Sequence, residues 1–269
     1  SGAMTFSIAY SDSNGNAGES ETSTDDSTAI TIDNTHPSIA MTWVTNNAKG
    51  NYYAKNGDKI TMTITASEAV TGLVCTILGE STTMTGSGIT WYSALTLDGN
   101  EAEGSTTTFS CSSHVDAAGN AGATDAHSAA INNNPITVDF TTPTISTPAM
   151  SHNAGSGIDV NNGDTVTLTF TSSSDVTTAP TCAFEDGLDA AMDAGTSTAS
   201  GDYEGWTCTV AVGDSDGDGA MGYTISFSDS NGNAGVAVTS GSGSATIDNT
   251  HPTLNTPAMS HNAGSGIDV

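Results

Sequence analysis

The chain has 269 residues, with 30 Asp plus Glu against 3 Lys plus Arg, and a formal net charge of −27. A surface this one-signed repels phosphate backbones and anionic headgroups, which argues against nucleic acid and membrane insertion and makes a multivalent cation, calcium first, the expected counterion. No run of eighteen apolar residues occurs, so no helical membrane span is expected.

In chain order, Ser1–Met4 reads as an expression-derived appendage, and no charged-then-apolar leader marks a signal peptide. On that expectation the chain is an excised piece, and its compartment must be read from its chemistry. The phrase SDSNGNAG then spans 11–18 and returns at 228–235. TIDNTHP at 31–37 returns at 246–252, with a looser TVDFTTP at 137–143, so that Pro37, Pro143 and Pro252 stand 106 and 109 residues apart. Asp12, Asp116 and Asp229 each open a D-x-x-G-N turn, NGD recurs at 56–58 and 162–164, and TPAMSHNAGSGIDV occurs at both 147–160 and 256–269. Repetition at a fixed period marks a tandem array. The expected organisation is an appendage at 1–4, the last strands of a truncated repeat at 5–37, complete repeats at 38–143 and 144–252, and the first strand of a further truncated repeat at 253–269.

Within the repeats, KITMTITAS from Lys59 and DTVTLTFTSS from Asp164 alternate polar and apolar residues at period two, as a strand with one buried face requires. Further alternating runs follow at 73–78, 90–97, 106–112 and 136–140, separated by Gly, Asp, Asn and Ser clusters. Helical periodicity is nearly absent. Roughly seven short strands per unit with frequent turn signals predict an all-β chain of immunoglobulin-like sandwiches.

These residues resemble the bacterial immunoglobulin-like (Big-type) tandem repeats of large repetitive surface proteins and adhesins. The resemblance is carried by YAKNGDKITMTITASEAVTG, a strand with Trp91, DAAGNAG and ITVDFTTP in that order, and again by VNNGDTVTLTFTSSSDV, Trp206, DSNGNAG and TIDNTHP. It implies non-enzymatic extracellular spacer repeats on a cell surface. The second repeat departs from the first at the position matching Glu68, where it has Asp175.

With strands labelled A to G, sandwich topology puts the loops before C and before G at the entry pole and the A–B and E–F loops at the exit pole. Glu68 and Asp116 then crowd the entry of the first complete repeat and face Asp33 of the incoming linker. At the next linker Asp139 meets Asp175 and Asp229, with Asp58, Asp98, Glu101 and Glu103 approaching from the preceding exit pole. Such carboxylates suit a hard cation that takes six to eight oxygen ligands, and calcium at the interdomain junctions is the expectation. The alternative is that D-x-x-G-N is only a hairpin turn, with Asp and Asn bonding their own backbone.

Asp214, Asp216 and Asp218 of DSDGDG match the first half of an EF-hand loop, but position 12 is Ile225 and the flanks read as strands. They are expected to form either a different kind of calcium loop or a solvated acidic turn. Four cysteines, two per complete repeat, show no C-x-x-C spacing. Cys75 with Cys111 would bridge the sandwich or one sheet, and Cys182 would pair with Cys208 on strand E; free buried thiols are the alternative. Paired, they would indicate a secreted or surface-exposed parent. The repeat at 144–252 has no lysine and the chain no glutamine, so the former cannot form Lys–Asn isopeptides and the latter cannot form Thr–Gln esters.

No enzyme is expected. His36, His152, His251 and His261 recur within repeated phrases, and His114 near Asp116 lacks a nucleophile or third partner. Trp91 and Trp206 are expected in the core or, alternatively, as a glycan platform, and outward threonines are ordinary on a solvent face. The expected partners are neighbouring repeats, with head-to-tail self-association through the truncated ends. The rival functions are a glycan- or protein-binding module and a self-assembling layer or filament subunit.

Overall fold

A computed structural model describes residues 1–104, 108–128, 136–155, 157–173, 175–188, 191–202 and 204–258. All regular structure among them is β, and the chain divides into two compact units, Ser1–Thr141 with Ser230–Asn233 and Thr142–Asp229 with Ala234–Val269. The sequence-derived first strand at 253–269 lies mostly outside the described residues.

In the first unit, β1 (Gly2–Ala3) and β2 (Thr31–Ile32) pair as an antiparallel ribbon. The strands that follow are β3 (Ile39–Thr45), β4 (Tyr53–Ala54), β5 (Lys59–Ala66), β6 (Val74–Ile77), β7 (Glu80–Thr82), β8 (Thr85–Ser87), β9 (Thr90–Thr96), β10 (Thr108–Ser112), β11 (Asp125–Ser128) and β12 (Thr137–Val138). They form one sheet of order β3-β5-β9-β8 and another of order β11-β10-β6-β7, with β4 pairing parallel to β12. In immunoglobulin lettering these are A-B-E-D against G-F-C-C′, the split expected of that sandwich.

Alternation explains which faces meet. Ile60, Met62, Ile64 and Ala66 of β5 point inward between outward lysine and threonine positions, and Trp43 of β3 stacks on Phe109 of β10 with ring centroids 4.1 Å apart. Each fully buried side chain of this size contributes roughly 1.5–3 kcal/mol. Cys75 and Cys111 are direct partners across β6 and β10, with Cα atoms 4.1 Å apart, so this disulfide lies within one sheet.

In the second unit the strands are β13 (Ile145–His152), β14 (Asp159–Val160), β15 (Thr165–Ser172), β16 (Thr181–Glu185), β17 (Ala191–Thr198), β18 (Ser200–Asp202), β19 (Gly205–Ala211), β20 (Gly219–Ala220), β21 (Gly222–Ser226) and β22 (Thr246–Ile247). The sheets run β13-β15-β19-β18, β17-β16-β21 and β14-β22-β20. Pro148 cannot donate to the ladder, and the β13–β15 register shifts between Ser146 and Ala149 around it. There the strand turns to a second partner: Met150 N donates to Ser242 O at 2.8 Å and Ser242 N to Pro148 O at 2.8 Å. Cys182 of β16 and Cys208 of β19 join the two opposed sheets, with Cα atoms 6.4 Å apart.

Gly2 pairs with Ile32 and Ala3 with Thr31, the register in which Gly219 pairs with Ile247 and Ala220 with Thr246. GAM at 2–4 matches GAM at 219–221.

Candidate functional site

The acidic turns at Asp12 and Asp116 are built the same way. Asp12 Oδ1 accepts from the backbone N of Asn14 and of Asn16, both at 2.9 Å, and Asp12 Oδ2 accepts from Asn16 Nδ2 at 2.8 Å. Asp116 Oδ1 likewise accepts from Asn120 N at 2.8 Å and Oδ2 from Asn120 Nδ2 at 2.8 Å. Gly15, Gly119 and Gly232 hold φ of +84°, +92° and +88°, a conformation that favours glycine. The hairpin role of D-x-x-G-N is therefore present. Hydrogen bonds from Asn16 and Asn120 hold the Asp12 and Asp116 carboxyls below the usual carboxylate range.

Around Asp116 the turn does more than reverse the chain. Its Asn120 Nδ2 reaches back to donate to Asp33 O at 3.0 Å, and His36 Nδ1 lies 2.8 Å from Ala121 O. From the other loop of the same pole, Ser67 N donates to Ser38 O at 2.8 Å while Ser38 N donates to Ser67 Oγ at 3.0 Å. The segment 33–38 is thus fastened to both loops of one sandwich end. This fastening brings the carboxylates of Asp33, Glu68 and Asp116 together, with one oxygen from each lying within 4.8 Å of the others. Asp116 is buried, while Asp33 and Glu68 are half-buried.

The donor set is oxygen only, which suits calcium or magnesium and not a metal that prefers nitrogen or sulfur. Asn120 supplies a hydrogen bond to each Asp116 oxygen, and a carboxylate oxygen has more than one acceptor position. The bonds on Asp33 fall on Oδ1, from Thr35 N at 2.9 Å and Ser1 Oγ at 2.5 Å. Those bonds, the Ser1 hydroxyl first, hold its carboxyl below the usual range.

The other predicted acids have different surroundings. Asp58 Oδ2 accepts from Lys55 N at 2.9 Å and Asn47 Nδ2 at 2.6 Å, and Asp98 Oδ1 accepts from Asn100 N at 3.1 Å. Asp139 belongs to the first unit, where its Oδ1 accepts from Thr141 N at 2.9 Å. Asp175 and Asp229 belong to the second unit; Asp229 is fully buried, and Asp175 Oδ1 is buried without a hydrogen bond. Ser173 repeats the Ser67 lock, its N donating to Thr144 O at 2.9 Å and its Oγ accepting from Thr144 N at 3.0 Å. Glu68 follows Ser67 by one residue and Asp175 follows Ser173 by two, so the two acids are offset by one position and are not direct equivalents.

In the DSDGDG turn the acids serve as local acceptors. Asp216 is buried and accepts from Gly213 N at 2.7 Å, Asp214 Oδ1 lies 3.4 Å from Asn162 Nδ2, and Asp218 accepts from Asn249 N at 2.6 Å and from the Thr250 hydroxyl. The Thr250 bond holds the Asp218 carboxyl below its usual range. Glu103, which the sequence placed only in the general acidic approach, makes the matching contact one repeat earlier, accepting from Phe140 N at 2.6 Å and Thr141 Oγ1 at 3.3 Å.

Trp206 is 5% exposed and donates from its indole to Ser172 Oγ at 2.9 Å, which removes it as a glycan platform. Trp91 is half-buried, packs against the first core and donates to Gly88 O at 3.2 Å. His114 is fully buried, and neither ring nitrogen has a hydrogen-bond partner. No helix among the described residues is long and apolar enough to cross a membrane.

Neither protein-family models nor curated proteins return a match to this chain. Among solved structures it is similar to the titin domains z1z2, crystallised in complex with telethonin, at 13% identity over 80% of this chain and 97% of that one, with a TM-score of 0.28. That score is too low to add to the strand order, on which the immunoglobulin-like assignment rests.

Proposed function

We propose that this chain is part of a non-enzymatic, extracellular spacer of bacterial immunoglobulin-like repeats from a large repetitive surface protein, stiffened by calcium at its linkers. The immunoglobulin-like sandwich is a structural or binding module, and two disulfides are compatible with an oxidising compartment. The observation that carries the calcium reading is the convergence of Asp33, Glu68 and Asp116 on one segment that is also fastened by backbone and side-chain bonds. Three like charges so close repel one another, and a divalent ion bound among them would turn that repulsion into a clamp on the linker. The recurring linker phrase extends the proposal, from sequence, to Asp139, Asp175 and Asp229.

Thermal melting and small-angle scattering, each in calcium and in chelator, test this reading. Calcium at a hundred times its dissociation constant should stabilise the liganded unit by about 2.7 kcal/mol. Glu68→Gln and Asp116→Asn should each remove most of that gain, and chelation should broaden the distribution of particle lengths. Identical melting and scattering in both conditions would mean that the acidic turns are turns alone.

A further inference from the structure

Met4, Phe6, Ile8 and Tyr10 alternate along one extended run and are 51%, 39%, 58% and 59% exposed, with Ile30 and Ile32 beside them at 66% and 48%. The same letters recur in the second unit. There Met221, Tyr223, Ile225 and Phe227 occupy the corresponding positions of a run that also ends in SDSNGNAG, and Tyr223, Ile225 and Phe227 are buried in the core. One face is therefore covered in one place and open in the other.

Part of what covers it in the second unit is the segment 148–160. Asp159 and Val160 pair parallel to Thr246 and Ile247, Thr246 N donates to Ile158 O at 2.8 Å, and Asp248 N donates to Val160 O at 2.9 Å. Met150 and Val160 enter the core at 7% and 1% exposure. The equivalent strand near the N-terminus, β2, is paired with β1 alone, so its other edge carries no strand among the described residues. A parallel pairing of this kind also occurs in the first unit, between β4 and β12.

The chain carries a second copy of the covering segment: PAMSHNAGSGIDV at 257–269 repeats 148–160 letter for letter. Leu254, whose counterpart Ile145 packs against the second core, is 97% exposed. Unlike most of this acidic chain, 253–269 has one acidic residue, Asp268, so charge repulsion opposes its approach only weakly.

We propose that residues 257–269 of one molecule add as a parallel strand along β2 of a second molecule, and that the open face of residues 4–32 is a docking surface for that strand. Val269 and Met259 take the places of Val160 and Met150, and the backbone N–H groups of Asp33 and of Thr31 donate to the carbonyls of Val269 and Ile267. Each molecule has one acceptor and one donor end, so the contact is heterologous and propagates head to tail. This inference does not depend on calcium.

Sedimentation velocity of the full chain across a hundredfold concentration range, in chelator and moderate salt, provides the test. The expected result is a weight-average mass that rises at least twofold with concentration. Ile8→Asp/Ile32→Asp disables the acceptor and Met259→Asp/Val269→Asp the donor, so either variant alone stays monomeric, while an equimolar mixture forms heterodimers and grows no further. Cooperative melting of each variant verifies that the sandwiches remain folded, and a labelled peptide of residues 256–269 should bind the donor variant and not the acceptor variant. A wild-type mass that stays monomeric at every concentration, or a peptide that binds neither variant, overturns the proposal; the first of these is also the signature of a tail that folds back on its own molecule.

Discussion

The two sandwiches share the order of one four-stranded sheet, β3-β5-β9-β8 and β13-β15-β19-β18, but are stapled differently. In the first, Cys75 and Cys111 join strands that already pair within one sheet; in the second, Cys182 and Cys208 join the two opposed sheets beside buried Trp206. The first core instead closes across its sheets with Trp43 stacked on Phe109. An aromatic pair and a covalent bridge thus perform the same sheet-to-sheet closure in two copies of one architecture, and the disulfide has a different task in each.

The largest effect that sharpens this comparison is core truncation. Phe109→Ala should cost about 3–5 kcal/mol in the first unit, because it leaves a cavity under Trp43 as well as losing burial. Phe184→Ala in the second should cost less, since the cross-sheet disulfide still holds the sheets together. Two-transition calorimetry separates the units, and equal losses would break the comparison. Next in size, replacing each cystine by an alanine pair should cost roughly 3.5–4 kcal/mol, because loops of 36 and 26 residues give nearly the same chain entropy. A markedly larger loss for Cys182→Ala/Cys208→Ala would assign the remainder to native-state packing.

Smaller effects probe what the units share. Ser67→Ala and Ser173→Ala each remove an acceptor for a linker N–H, at Ser38 and Thr144, and should cost about 1 kcal/mol apiece. A silent Ser173→Ala would show that the second lock is redundant. The smallest effect is expected from acid. Asp12, Asp26, Asp33 and Asp116 of the first unit have carboxyls held below the ordinary 3.8, Asp26 at about 2, mainly by neighbouring hydrogen-bond donors. A carboxyl depressed in the folded state is protonated first in the unfolded chain, so its stabilisation is complete above about pH 4 and is lost as pH falls toward 2. Asp218 of the second unit is held below the ordinary value in the same way, so the melting of both units should fall over that window.

Much of this was legible in sequence for local reasons. The period-two runs at 59–66 and 165–172 fold as strands with the expected inward faces, because alternating side chains must leave a strand on opposite sides. The position of Trp206 and the construction of the Asp turns also followed from neighbouring letters, and the pairing of the cysteines followed from there being two in each repeat. The strand at 125–128 has too little apolar alternation to read, and a two-residue strand such as Asp159–Val160 carries no period at all.

The sequence by itself determined which residues alternate, where the chain turns and how often the unit repeats, since these depend on side chains within a few bonds of one another. Tertiary structure decided which partners meet. Asp33, Glu68 and Asp116 converge only because two loops and a linker share one end of a sandwich, and Ile8 and Ile225 differ in exposure, despite near-identical surroundings in sequence, only because one of them has a strand and a sheet lying over it. Burial and charge convergence are properties of what arrives from far along the chain, and no local pattern encodes them.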